Sequence, residues 1–264
     1  MSAALEQQTG LVATPVLSDR DASRLVAVLD QVWGGDAGSS HLHHGMVTAL
    51  AHTGEYAMLY EQDGQAVGAG LGFFGPPRAA VLHSHIVGVL PSVVGQGIGL
   101  AIKRHQREWC LERDVRDITW TFDPLIGRNA AFNLRKLGAR AERYLEDFYG
   151  AMSDGINDGQ ATDRVLVRWE LEQPAIPPDE YGAIAAWVAE DRSGEPIVLE
   201  PAPAATRRSI RVPRDVEGLR RSDPELARRW RAAVRGALGG ALDDGWVVLG
   251  FRADGDYVLE RTRT

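Results

Sequence analysis

The sequence predicts a mixed α/β fold. Three observations carry that expectation. A hairpin signal covers 56–74, an apolar strand at 80–89 runs into a glycine-rich helix start, and strand and helix patterns alternate from Val115 onward. Hairpins first and crossovers later give a sheet with both strand senses.

The elements follow in order. Leu11 to Leu17 is apolar and broken by Pro15, which suits an edge strand. Ser18 or Asp19 caps a helix with Leu25, Val28, Leu29 and Val32 on one side. Gly34 to Ser40 reads as a loop, and His44 to His52 as a second helix. Tyr56, Met58 and Tyr60 alternate along a strand, Asp63-Gly64 turns the chain, and Ala66 to Phe74 returns. Gly75-Pro76-Pro77 interrupts, and the Ala80 to Val89 strand carries His83 and His85. Gly95-Gln96-Gly97-Ile98-Gly99 then opens a helix striped by Ile98, Ala101, Ile102, His105 and Trp109. Val115 to Phe122 is the next strand, Arg128 to Leu137 a short helix stopped by Gly138, and 164–171 a further strand.

Pro174 to Pro178 marks a boundary, so 1–172 reads as one domain and 173–264 as a C-terminal α/β extension packed on it. In the extension, Ser222-Asp223-Pro224-Glu225 has capping-box spacing. The helix after it places Leu226, Trp230, Ala233, Ala237 and Ala241 on one side. Val247 to Phe251 and Tyr257 to Glu260 close as a hairpin around Asp254-Gly255. Residues 207–235 hold ten arginines against four acids. Arg228, Arg231 and Arg235, opposite Trp230, read as a solvated face, with a patch for an anionic ligand as the alternative.

Composition bounds the function. The chain has 264 residues, 44% hydrophobic and 25% charged, enough for an ordinary packed core. A lone cysteine, Cys110, excludes an internal disulfide framework. A net charge of −7 excludes a general nucleic-acid binder, which needs a basic face to displace counterions. No apolar run reaches the roughly 18–20 residues that span a bilayer. The first ten residues have neither a basic nor an apolar leader segment, so a soluble cytoplasmic protein is expected.

The strand–turn–helix at 80–110 carries the chemistry. A helix start presents unbonded N–H groups and the positive end of the helix dipole, and glycines let that backbone approach an anion. A phosphate or pyrophosphate is the natural ligand. No Gly-Lys-Ser/Thr follows, so this is not a Walker loop. Glycines spaced by two at 95, 97 and 99 also fail the dinucleotide pattern G-x-G-x-x-G.

The run Val89-Leu90-Pro91-Ser92-Val93-Val94-Gly95-Gln96-Gly97-Ile98-Gly99 resembles the acyl-CoA motif of the GNAT acetyltransferases, a hydrophobic strand, V-x-P and then R/Q-x-x-G-x-G/A opening a helix. Asn129 to Ala139 (NAAFNLRKLGA) is similar to that family's helix ending in K-L-G. Trp120 to Pro124 with Arg128-Asn129, Tyr149-Gly150-Ala151-Met152, and Asp163 to Val167 resemble a bacterial subgroup of predicted GNAT acetyltransferases. The resemblance covers residues 11–171. It implies a GNAT-like acyl-CoA-binding core, with acetyl-CoA or another acyl-CoA as donor and no metal. It implies that Val94, Gly95, Gln96, Gly97, Ile98 and Gly99 hold the pyrophosphate, that backbone near Val89 polarises the thioester carbonyl, and that Asn129 and Asn133 contribute to cofactor binding. The chain departs from the pattern twice. Val94 replaces the usual Arg or Gln, and Leu134 stands where many members have a tyrosine that protonates the leaving thiolate.

An acyltransferase must deprotonate its acceptor amine, and His83 sits where several such enzymes carry a glutamate base. His85 shares its parity, and imidazole titrates near neutrality. The alternative is a pair of packed strand histidines. Asp123 either opens onto the same cleft or caps the turn before the next helix. Tyr149 and Tyr144 could donate to a thiolate or substrate, or be half-buried strand tyrosines. Arg128 could hold a carboxylate or cap a surface turn. His41, His43 and His44 cluster without a fourth ligand, so no metal is expected. Cys110 reads as a buried helix cysteine. The activity expected is N-acyl transfer to a small-molecule amine by direct transfer in a ternary complex. A larger donor such as succinyl-CoA, or a non-catalytic acyl-CoA-binding module, is the alternative. No nucleic-acid or membrane partner is expected, and a homodimer is left open.

Overall fold

The computed structural model describes residues 10–33, 42–76, 79–150, 160–173, 181–200, 202 and 204–261. The Gly34–Ser40 loop, His41, Pro77, Met152 and the Pro174–Pro178 boundary lie outside them. The contacts divide the chain into two compact units, Met1–Trp120 with Glu170–Glu172, and Thr121–Trp169 with Gln173–Thr264. This differs from a boundary at 172. Residues 121–169 carry Asp123 and Asp163, whose ionic partners lie at 220–235, and they share a unit with them for that reason.

The first unit is built on a mixed sheet. β1 (Leu11–Pro15), β2 (Tyr56–Gln62), β3 (Gln65–Phe74) and β4 (Val81–Val89) pair antiparallel in that order. β5 (Asp117–Phe122) joins β4 in parallel. Asp63 and Gly64 both take positive φ, 51° and 76°, as a two-residue hairpin turn needs. Helices α1 (Asp19–Trp33) and α2 (His44–His52) cover one face of the sheet. There Leu25, Leu29 and Val47 pack with Leu59, Ala69 and Leu71, all buried. Helix α3 (Ile98–Leu111) buries Ile98, Ile102 and Trp109. Trp109 meets Tyr56 edge-on at 5.1 Å, so β2 is covered on both faces over Tyr56 to Tyr60, five buried apolar or aromatic residues in a row.

The second unit holds the hairpin of β6 (Arg140–Leu145) with β7 (Arg164–Glu170), and a five-stranded sheet in the order β11-β12-β10-β8-β9. These strands are β8 (Ala185–Glu190), β9 (Pro196–Val198), β10 (Arg207–Arg211), β11 (Trp246–Phe251) and β12 (Asp256–Arg261). Its helices are α4 (Gly127–Ala130), α5 (Val216–Ser222), α6 (Pro224–Val234) and α7 (Gly240–Asp243). π-helical turns at Ala131–Lys136 and Arg235–Gly239 extend α4 and link α6 to α7. Asp223 caps α6 through Leu226 N–H, with Pro224 in the first turn; the cap falls one residue after the Ser222 of the expected capping box, whose hydroxyl donates back to Gly218 carbonyl at 3.0 Å instead.

The arginine face of α6 is a correction to the sequence reading. Arg231 is 4% exposed and donates twice to Asp123, at 3.2 and 2.8 Å. Arg220, 1% exposed, donates to the same carboxylate. Arg235 grips the buried Asp163 with two bonds of 2.9 and 2.7 Å. Such bidentate pairs are strong because their charge-assisted bonds form out of water. Burial pushes the Asp123 carboxyl upward, but Arg231 and Arg220 outweigh it and hold it below the ordinary carboxylate range.

Replacing Asp123 by alanine leaves two guanidinium charges buried without their counterion. That variant should lose about 3–5 kcal/mol in urea denaturation at pH 7. A loss near zero would show those charges to be held otherwise. Because the folded value is depressed, the carboxylate's contribution is complete above about pH 4 and disappears as pH falls below it.

Candidate active site

β4 feeds the site. Its parallel pairing to β5 joins Val81, Leu82 and His83 with Asp117, Ile118 and Thr119. Toward Val89, its pairing runs to β3, with Val87 opposite Gly70 and Val89 opposite Gly68. A short 3-10 turn, Pro91–Val93, follows, and then the glycine turn. Gly95 and Gly97 take φ of 88° and 83°, the left-handed region where a side chain is strained. Gly97 is the N-cap of α3 and offers no side chain to the first turn, which also lacks an acidic residue. The first helical N–H groups therefore have no intrahelical acceptor, apart from Leu100 bonding back to Gly97 at 3.1 Å. A Cβ built at Gly95, Gly97 or Gly99 would meet nothing within 4 Å. The turn is thus open to solvent and carries helix-start N–H donors, the kind of backbone that can receive an anion such as a phosphate. Val94 is 69% exposed beside it, while Ile98 anchors the helix in the core at 3% exposure.

His83 and His85 stand on one face of β4 with Phe73, at ring separations of 5.3 and 5.6 Å from it and 6.3 Å from each other. Nδ1 of His83 lies 3.3 Å from Oγ1 of Thr119. If Nδ1 donates to that hydroxyl, Nε2 is left as an acceptor, the form a base requires. Burial, with His85 and Lys103 nearby, lowers the His83 pKa to about 4, so the near-neutral titration expected from the sequence is corrected downward. Burial lowers His85 as well.

Opposite in parity to the histidines, Ser84 accepts from Lys103 Nζ at 2.9 Å. Lys103 also donates to Gln106 at 3.0 Å and lies 4.0 Å from the centre of the Trp120 ring. Lys103 is 5% exposed, and burial lowers its pKa to about 7. Sequence periodicity did not single it out. The available signal was that Lys103 and Lys136 are the only lysines in the chain.

The other site candidates belong to the second unit. Asp123 is occupied by Leu125 N–H and by Arg220 and Arg231, which fits the turn-capping alternative. A carboxylate held at so low a pKa has little capacity to take a proton at pH 7. Tyr149 is 38% exposed, and its hydroxyl lies 3.2 Å from Thr121 Oγ1. Tyr144 donates to Asp163 at 2.6 Å. Asn129 sits in the short helix α4, and Asn133 is buried in the π turn, where its carbonyl accepts from Ala139 N–H. Arg128 pairs with Glu217. Leu134 is buried.

The remaining sequence candidates have local partners. His43 caps α2 through Gly45 N–H, and His44 pairs with Asp19 at 2.7 Å. Among the described residues no group of three or more His, Cys, Asp and Glu could hold a metal. Burial pushes the Cys110 thiol up to about 12, so it is not a nucleophile at neutral pH. Among the described residues no helix is long and apolar enough to cross a membrane.

Solved structures decide the fold. A candidate acetyltransferase of Acinetobacter baylyi ADP1 superposes with a TM-score of 0.51 at 14% identity, covering 64% of this chain and 97% of its own. The fold is that of the GNAT acetyltransferases. A GNAT-family acetyltransferase of Streptococcus pneumoniae is similar at TM-score 0.48 and 19% identity, covering 60% and 98% of the two chains. A Salmonella typhimurium protein solved with acetyl-CoA scores 0.49 at 12% identity, with 64% and 98% covered. No protein-family model matches the sequence, and no curated protein matches it by sequence.

In an NMR pH titration, the His83 ring should keep its neutral form down to about pH 4. An unfolded chain takes up that proton near pH 6.5, so the site disfavours the folded state progressively as pH falls from about 6.5 to 4. A midpoint at or above 6.5 would contradict the burial of the ring.

Proposed function

We propose that the chain is an acyl-CoA-dependent N-acyltransferase, with acetyl-CoA as donor and a small-molecule amine as acceptor. The single observation that carries this is the left-handed Gly97 opening α3 at the end of the short connection from β4, with open space over Gly95, Gly97 and Gly99. The backbone of 95–99 would hold the pyrophosphate, and the strand backbone near Val89 would orient the thioester. An acyl-CoA supplies a carbonyl carbon that forms a bond to the amine nitrogen as the carbon–sulfur bond breaks. His83 Nε2 takes the amine proton, with Thr119 fixing the tautomer. Its low pKa keeps it unprotonated across the physiological range, at the expense of basicity. His85 is the reserve base. Tyr149 is the hydroxyl to test as donor to the leaving thiolate, since Leu134 cannot serve. Nothing in the charge balance favours a nucleic-acid acceptor, and a cytoplasmic setting fits a chain with a CoA substrate.

The buried Leu134 supports a second reading, an acyl-CoA-binding module without turnover. Thiol release with a panel of amines separates the two. A Gly97→Asp variant puts a side chain and a negative charge beside the turn's N–H donors and should abolish CoA binding in calorimetry. Unchanged affinity in a folded variant would sink the pyrophosphate assignment. His83→Ala should lower turnover about 10²–10⁴-fold while acyl-CoA affinity holds. If turnover survives in both His83→Ala and His85→Ala, histidine is not the base.

A further inference from the structure

Within the second unit, the turn after β6 is held in one shape. Asp147 takes φ of 42°, the left-handed region, although it is not a glycine. Its N–H donates to the Asp163 carboxylate at 3.1 Å, and its own carboxylate accepts from Thr162 N–H at 2.9 Å. Phe148 N–H donates to the Thr162 carbonyl at 3.1 Å, and Tyr149 N–H to the Thr162 hydroxyl at 2.9 Å. Thr162 is fully buried, so the turn is anchored to the core. What it carries outward is aromatic. Phe148 is 48% exposed and Tyr149 38%, with their rings edge-on at 4.7 Å. Rings fixed on an anchored backbone have little freedom left to lose on binding, which favours a ligand.

Arg164 brings a charge to the same turn. Its guanidinium lies 5.2 Å from the centre of the Tyr149 ring, and Nη1 donates to Asp163 carbonyl at 2.9 Å. Nε and Nη2 take no partner among the described residues, and neither is an enclosed orphan like Nε of Arg220 and Arg231. No carboxylate neutralises this guanidinium. Asp123 attracts it but is already gripped by Arg220 and Arg231, which both repel it. The Asp163 carboxylate is held by Arg235 and Tyr144. Arg164 is half-buried, and burial works against its charge and lowers its pKa. One uncompensated positive charge beside two exposed rings calls for a monoanion with an apolar body. A phosphate dianion brings more charge than one guanidinium balances, and a neutral arene leaves that guanidinium as it was. We infer that Arg164 and the Phe148–Tyr149 turn bind an aryl carboxylate. The carboxylate accepts from the Nε–Nη2 edge of Arg164, and the aryl ring packs on Phe148. This site does not depend on the acyl-CoA reading.

Calorimetric titration of the full chain with benzoate, phenylacetate and 3-phenylpropanoate tests it. At least one should bind saturably at one site per chain. Acetate, inorganic phosphate and the alcohol matching the tightest acid should each bind about tenfold more weakly or worse. Arg164→Gln should weaken the acid about tenfold or more, and Phe148→Ser should remove the advantage of the aryl acid over acetate, with the thermal transition retained in both. Should Arg164→Gln fail to fold, Phe148→Ser and the ligand series decide, because Phe148 is exposed. Absence of saturable binding by all three acids overturns the inference. So does equal binding of the alcohol, which would mark a purely apolar site, or of phosphate or acetate, which would mark a general anion site. Undiminished binding to folded Arg164→Gln or to Phe148→Ser overturns it as well.

Discussion

Everything proposed for the first unit depends on one backbone constraint, the left-handed turn that carries β4 into α3. Only glycine takes φ near 85° without strain, and two of the three turn glycines do so. The consequence is electrostatic. A helix that begins without a side-chain cap, without an acid in its first turn and with nothing above it presents its dipole and N–H groups to solvent. Ile98, Ile102 and Trp109 hold that helix in the core, so the donors keep a fixed direction. The same strand presents two desolvated histidines on one face and a buried Ser84–Lys103 pair on the other.

The second unit depends on a different constraint, the neutralisation of buried arginines. Asp123 and Asp163 are separated from their guanidinium partners by 72 to 108 residues of sequence. Each pairing brings the 121–169 segment to α5, α6 or the π turn. Tyr257 adds a buried hydroxyl bond to Pro124 carbonyl at 2.8 Å, and Phe251 packs edge-on against its ring. Removing one partner costs far more than the intact pair contributes, because the charge left behind is desolvated.

Much of the first unit was legible in the sequence. The 56–74 hairpin, the histidine strand and the glycine turn are local patterns, with alternation, Asp-Gly and closely spaced glycines at fixed offsets. What was not legible depends on distant partners. Arg231 has the spacing of a solvated helix face, and its burial follows from an aspartate 108 residues earlier. Lys103 lies outside the apolar stripe read from the sequence, and its burial follows from Ser84 on β4 and the Trp120 ring on β5. β8 and β9 form a short antiparallel hairpin, and β8 joins β10 in parallel, a pairing between strands distant in sequence that no local pattern marks. The His83 pKa likewise follows from packing that the sequence does not display.

The central claim is that the N–H groups opening α3 receive the pyrophosphate of CoA. Backbone amide NMR during a CoA titration tests it directly. Saturable shifts should concentrate at Gly95, Gln96, Gly97, Ile98 and Gly99, and adenosine without phosphates should leave those amides in place. Binding of CoA that leaves the amides of 95–99 unmoved while shifting others would contradict it.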